Sequence, residues 1–311
     1  MCARNATPST QDSRKFWILR DVLTNSAVNT GCSKPGHHPV HHPATLFRCN
    51  RTTVAVIFLC LVSSLLQADD QLFSDNSCNT GTYHERAVVK QIIDGDTIIL
   101  ADDRHIRLIG INTPEINHET GDSQPGAEIA RDYLVHLLEP GTAIYLVYDE
   151  QRRDRYQRTL AHLFLINGVN IQSQILGRGL ATSLTIPPNT AFLDCYIKSM
   201  QHARSTATGL WAMKQYQPVS AANLAGTVAG YRLITGRVTR VSQAATATWI
   251  VLDDRVSLRI TRKDMDYFDE STLTDLAGNQ LLVQGWLYFH NDEPRMRIRH
   301  PADMFMPGNR N

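Results

Sequence analysis

Net charge is the first thing this chain lacks. Thirty-one Lys and Arg stand against 30 Asp and Glu, a formal +1. No global field draws in a polyanion, so any contact with nucleic acid must come from local Arg clusters. Long apolar runs are missing too: the most apolar stretch, Thr52 to Leu66, is too short to span a bilayer comfortably as a helix. Cysteine is scarce past the first sixty residues. Of six, Cys2, Cys32, Cys49 and Cys60 lie there, and Cys78 and Cys195 lie beyond. What remains is an ordinary globular composition, 42% hydrophobic and 20% charged, which confines expected disorder to the ends. A length of 311 residues suggests two modest domains.

The first fifty residues carry turn formers and no apolar period. Their four histidines, between Gly36 and Pro43, have Pro on both sides and no element to fix ligand geometry. Arg48 to Arg51 is basic, the apolar stretch follows, and Gln67-Ala68-Asp69-Asp70 closes it. That order is a secretory signal with cleavage expected near Ala68. Residues 1–68 are therefore read as leader and signal, with 1–46 expected to precede the natural start. Cys60 follows Phe58-Leu59 rather than a small residue, which argues against lipid attachment. The exported chain is expected in a bacterial periplasm or outside the cell, without stable membrane insertion. It keeps 24 Lys/Arg and 28 Asp/Glu, a formal −4. In an oxidising compartment its two cysteines, Cys78 and Cys195, form an even pair, and a disulfide between them is expected.

Beyond a short N-terminal segment, 69–83, the patterning predicts strands over 86–93, 97–100 and 105–111, joined by Asp-rich turns. A helix follows over 125–138, with Ile129, Tyr133, Leu134, Leu137 and Leu138 at helical spacing. Strands are predicted over 142–148 and 159–166, and helices over 170–177 and 190–206. The expected fold class is mainly β with helices (α+β): a five-stranded oligonucleotide-binding-type (OB-type) barrel with about three helices over 84–214. Residues 215–230, rich in Ala, Gly and Ser, read as a linker. Strands over 232–241, 248–252, 256–261, 280–289 and 294–299, with a helix near 263–276, predict a second small OB-like β-barrel over 231–305.

Three clusters carry chemistry. The turn Asp94-Gly95-Asp96-Thr97 brings two carboxylates together. Arg107 and Asn112-Thr113-Pro114-Glu115 follow at the end of the third strand. Asp154-Arg155-Tyr156-Gln157-Arg158 sits in a loop before a later strand. Taken singly these are a hairpin turn, a solvated strand position, a helix start and a charged loop. Taken together they supply oxygen ligands for a hard cation, two guanidinium groups for a phosphate and a carboxylate to activate water.

In that order and spacing, with Gly179-Leu180-Ala181 and Gly209-Leu210-Trp211 behind them, residues 84–214 resemble the staphylococcal nuclease (thermonuclease) family. The resemblance implies a secreted Ca²⁺-dependent endonuclease that cleaves single- or double-stranded DNA and RNA and leaves 3′-phosphates. It implies Ca²⁺ on Asp96, Asn112 and the Thr113 carbonyl, with Asp94 nearby. It also implies Arg107 and Arg158 on the scissile phosphate, Glu115 as general base, and Tyr156 and Arg155 beside the substrate. Asn112 stands where the best-known relative has Asp, which removes one formal charge from the ion site. Thr182 to Pro187 lacks the tyrosines that family members place against the base. A non-catalytic nucleic-acid-binding or envelope interaction module on the same fold is the alternative; the retained Asp94, Asp96, Arg107, Glu115 and Arg158 argue against it. In the second barrel, period two puts Arg295, Arg297 and Arg299 on one strand face. They are either a phosphate track or a solvated surface. For Trp249, Trp286, Tyr288 and Phe289, core packing is the expectation for most.

Overall fold

The computed structural model describes residues 75–117, 119, 123–226 and 228–306. The expected leader, signal, cleavage point at Ala68 and histidine cluster lie outside them. β1 (Glu85–Asp94), β2 (Thr97–Leu100) and β3 (His105–Leu108) form an antiparallel meander. β5 (Ala143–Val147) returns on β1, β6 (Thr159–Leu165) pairs with it, and β6 runs parallel to β3, which closes a five-stranded barrel. Alternation explains the closure. Val89, Ile98, Leu100, Ile106, Leu108, Ile144, Leu146 and Leu163 all point inward and are buried, each contributing about 1.5–3 kcal/mol by leaving water.

The third predicted strand is cut short. The chain turns at Gly110, whose φ is +83°, and resumes as β4 (Ile111–Asn112) against β7 (Thr182–Ser183). A Cβ at Gly110 would lie 2.4 Å from the Tyr196 ring, so that ring forces the bend and only glycine admits it.

α1 (Ala127–Leu137) buries Ala127, Ala130 and Leu134, with Leu138 beside them. Ile129, expected on that face, is 60% exposed: the small Ala pair lets the helix sit close to the barrel and rotates Ile129 outward. α2 (Ile171–Gly177) is capped by the Asn170 side chain, which accepts from the Ser173 N–H and satisfies an otherwise unpaired donor. α3 (Leu193–Ser205) carries Cys195 into the core, where it forms a disulfide with Cys78. Behind α3, Gly179 and Gly209 press backbone on backbone. The Leu210 N–H donates to the Gly179 carbonyl at 2.8 Å, and a Cβ on Gly209 (φ +60°) would lie 2.5 Å from that same oxygen. Gly209→Ala is therefore expected to cost about 2–4 kcal/mol, read as a lower urea midpoint at unchanged slope.

Residues 215–230 pack rather than hang free. Tyr216, Ala221 and Leu224 are buried, and β8 (Val219–Ser220) lies parallel on β9 (Gly230–Ala244). Small residues suit this tight packing as well as they suit a tether. β9 is long enough to pair with β10 (Ala247–Leu252) at one end and β12 (Gln280–His290) at the other. β11 (Val256–Thr261) and β13 (Glu293–Arg297) complete a second closed five-stranded circuit. α4 (Glu270–Thr274) and β14 (Met304–Phe305) lie outside it.

The two barrels belong to one compact unit. Tyr231 and Leu233 of β9 join the core of the first barrel. At the junction the Gln284 amide donates to Ser183 Oγ at 2.9 Å, and the Tyr231 hydroxyl donates to Gln284 Oε1 at 3.1 Å.

One buried polar network has a pH consequence. His162 is 1% exposed, with Nδ1 2.6 Å from the Tyr196 hydroxyl and Nε2 3.5 Å from Asp149 Oδ2. Burial holds the imidazole below its usual pKa, outweighing the Asp149 carboxylate. Unfolding frees it to bind a proton, so the unfolded state gains protons as pH falls below the ordinary His value of about 6.5. The His162 contribution to stability is therefore lost as pH falls from there. Asp94 and Asp303, pushed up to about 6 and about 7, mainly by burial, act oppositely: their contribution is lost as pH rises toward those values. The difference between parent and His162→Gln isolates the histidine. The destabilisation caused by the substitution should shrink between pH 7.5 and pH 5, measured by urea melts.

Candidate active site

The β1–β2 turn sets the acidic end of the site. Gly95 has no room for a side chain, since a Cβ there would lie 2.7 Å from Thr113 Cγ2 and 2.8 Å from Ala130. That close approach drives Asp96 inward to 3% exposure. Asp96 Oδ2 accepts from the Thr113 backbone N–H at 2.9 Å and meets Arg107 Nη2 at 3.0 Å. Asp94 Oδ1 accepts from the Asp96 N–H at 3.0 Å. Burial first, and then the charge of Asp96, push the Asp94 carboxyl up to about 6.

Arg107 projects from β3 and is nearly buried. Its Nη1 donates to the carbonyls of Leu108 (2.9 Å) and Ile111 (3.0 Å), and its Nη2 donates to Asn112 Oδ1 (3.1 Å). The Asn112 amide nitrogen donates to the Thr113 carbonyl at 3.1 Å. Every oxygen expected to hold a cation thus lies in one hydrogen-bonded cluster around Arg107.

Glu115 is open to solvent at its outer side. Partial desolvation and then the charge of Asp96 push its carboxyl up from the ordinary range, while Arg107 and Arg158 pull it down. Glu115 therefore lies within electrostatic reach of both arginines and of the acidic turn.

Arg158 comes from the loop before β6. Asp154 positions it: Oδ1 accepts the Arg158 and Tyr156 backbone N–H groups, and Oδ2 accepts Arg158 Nε at 2.7 Å. That leaves both terminal nitrogens of Arg158 free to bind a ligand among the described residues. Tyr156 is 65% exposed. Its hydroxyl accepts from Arg155 Nη2 at 2.6 Å, and its ring lies beneath the Arg155 guanidinium.

Arg107, Arg155, Tyr156 and Arg158 line one groove of about 410 Å³. On its far side stand Leu184 and Ile186, in the segment lacking family tyrosines. The groove's remaining cation, Arg299, comes from the second barrel. Sequence reading placed it only on a strand face with Arg295 and Arg297.

The three take different roles. Arg297 pairs with Asp264 at 2.7 Å, Arg295 pairs with Glu293 and lies over the Trp249 ring, and only Arg299 reaches the groove. Trp286 and Tyr288 lie on the surface instead of in the core.

Among the described residues, no group of three or more His, Cys, Asp or Glu is arranged to hold a metal by itself, and no helix is long and apolar enough to cross a membrane. The family model described as staphylococcal nuclease homologue matches residues 105–213. The match covers Arg107, Asn112, Glu115 and Arg158 and begins after the acidic turn. The chain is 27% identical to the thermonuclease of Staphylococcus intermedius over 161 residues, 51% of this chain and 93% of that protein. It is 32% identical to the SPbeta prophage-derived endonuclease YokF of Bacillus subtilis (strain 168) over 129 residues, 40% of this chain and 43% of that protein. With the thermonuclease of Staphylococcus hyicus it shares 31% identity over 141 residues, 44% of this chain and 79% of that protein. Likeness of that order over most of a relative's length makes this chain a member of the staphylococcal nuclease homologue family.

Proposed function

We propose that the chain is a secreted, Ca²⁺-dependent nuclease. Its catalytic barrel spans 84–214, and it hydrolyses phosphodiester bonds of DNA and RNA to 3′-phosphate and 5′-hydroxyl ends. The observation that carries this reading is Arg107 and Arg158 lining one groove, with Asp96 on Arg107 and Glu115 within electrostatic reach of both arginines. The binding-module alternative gives no role to a carboxylate that feels both guanidinium groups.

The donor set fits a hard divalent cation. Asp96, the Asn112 amide oxygen, the Thr113 carbonyl and Asp94 are all oxygen donors. Burial first, and then the charge of Asp96, raise the Asp94 and Glu115 carboxyls against the pull of Arg107. A cation held there supplies neutralisation of the phosphate charge. Asn112 brings one charge fewer than Asp, which weakens affinity for the ion.

The residues do the rest. Arg107 and Arg158 grip the non-bridging oxygens and the charge that grows on them in the transition state. Glu115 takes a proton from the attacking water as its oxygen bonds to phosphorus, and the bond from phosphorus to the 5′-oxygen breaks, that oxygen taking a proton from solvent to become the 5′-hydroxyl.

Incubating the protein with single-stranded DNA, and separately with RNA, in Ca²⁺ or in chelator tests the reading. Calcium-dependent shortening supports it. Intact polymer at every calcium and magnesium concentration, with binding retained, would establish the binding module instead.

A further inference from the structure

The second barrel reaches the Arg-lined groove at one residue, Arg299, and its chemistry there is specific. Four guanidinium groups line the groove: Arg107, Arg155, Arg158 and Arg299. Asp154 is the one carboxylate among the lining residues, and Arg158 already holds it at 2.7 Å. Arg155 is tied to Tyr156, and Arg107 to Asp96. Arg299 has no ion pair or hydrogen bond of its own among the described residues, although Arg295 and Arg297 on β13, just before it, each have a carboxylate.

Half-burying a guanidinium that no carboxylate pairs directly, in a groove lined by three others, is costly unless an anion completes the arrangement. A polynucleotide brings a phosphate at every residue, so a groove that holds one scissile phosphate must also accommodate its neighbours. We infer that Arg299 is a substrate-binding residue: the second barrel lends it to the nuclease groove, where it takes a second backbone phosphate of the same strand. The inference rests on the nuclease reading and extends it, since it makes the C-terminal barrel part of the substrate site. Burial and then the charge of Arg297 depress the Arg299 pKa, against the opposing pull of Asp264 and Asp303.

The test is binding of a fluorescent single-stranded 15-mer to the full chain by anisotropy, in chelator and across a salt series, for the parent, Arg299→Gln, Arg299→Lys and Arg240→Gln. Arg240 is an exposed cation of the same barrel outside the groove. Arg299→Gln is expected to weaken binding about tenfold and to lower the salt slope by about 0.7, the loss of one phosphate contact. Arg299→Lys should restore most of both, and Arg240→Gln should change neither. Parent-like affinity and slope in Arg299→Gln would overturn the inference while leaving the nuclease reading intact. So would equal losses in Arg240→Gln, or a Lys variant as weak as the Gln variant. A parent that does not bind the oligonucleotide at all would remove both.

Discussion

Glu115→Gln should lower kcat on a single-stranded oligonucleotide by about 10²–10⁴-fold and leave oligonucleotide affinity within about threefold. The amide keeps the shape and removes the proton acceptor. Glu115 also sits where its charge opposes a polyanion, so losing that charge slightly favours binding. The split is diagnostic. A residue that merely packs would alter stability and affinity together, whereas a base alters turnover alone. The raised Glu115 carboxyl adds a pH signature: kcat should rise with pH through a value above the ordinary carboxylate range, because the ionised form is the active one. Single-turnover rates over a pH series for parent and variant measure both effects. Equal kcat in the two proteins would remove Glu115 from the mechanism.

The second large effect is on stability. Cys78 and Cys195 are buried, their Cα atoms are 4.9 Å apart, and 117 residues of sequence separate them. A crosslink across a loop of that length restricts the unfolded chain strongly, by about 4–5 kcal/mol on the chain-entropy account. It also ties the segment ahead of β1 to α3, which packs against the back of the barrel. Cys195→Ser should lower unfolding free energy by about 2–5 kcal/mol, with activity retained at 25 °C because neither cysteine approaches the groove. Urea melts of the parent with and without reductant give the same comparison without a substitution. Coincident melts, or thiol labelling of Cys78 and Cys195 in the unreduced parent, would contradict the bond.

Much of the first barrel was legible because its strands alternate cleanly and its turns carry Asp, Asn and Gly. The predicted and observed strands over 86–93, 97–100 and 159–166 differ only at their ends. The break after Leu108 was not legible: it depends on the Tyr196 ring occupying the space beside Gly110, a contact between residues far apart in sequence. Ile129 misled the reading of α1 because helical spacing is satisfied by two neighbouring faces, and the close approach of Ala127 and Ala130 selects between them.

The candidate active-site residues could be grouped from sequence because they sit in short motifs whose order is informative. Arg299 could not be assigned to them. Period two grouped it with Arg295 and Arg297, but the strand ends at Arg297, and nothing local says which of the three arginines meets a carboxylate and which lines the groove. That is decided by how the two barrels dock. The buried Gln284, which joins Ser183 and Tyr231, was equally silent in sequence.

The account's central claim is that water, activated at Glu115, attacks phosphorus in this groove. Cleavage of a defined oligonucleotide in ¹⁸O-enriched water with Ca²⁺ tests it most directly, with both new ends analysed by mass. The account predicts one ¹⁸O in each new 3′-phosphate and none in the 5′-hydroxyl. Products bearing 5′-phosphates, label at the 5′-oxygen, or an oligonucleotide bound and left whole would contradict it.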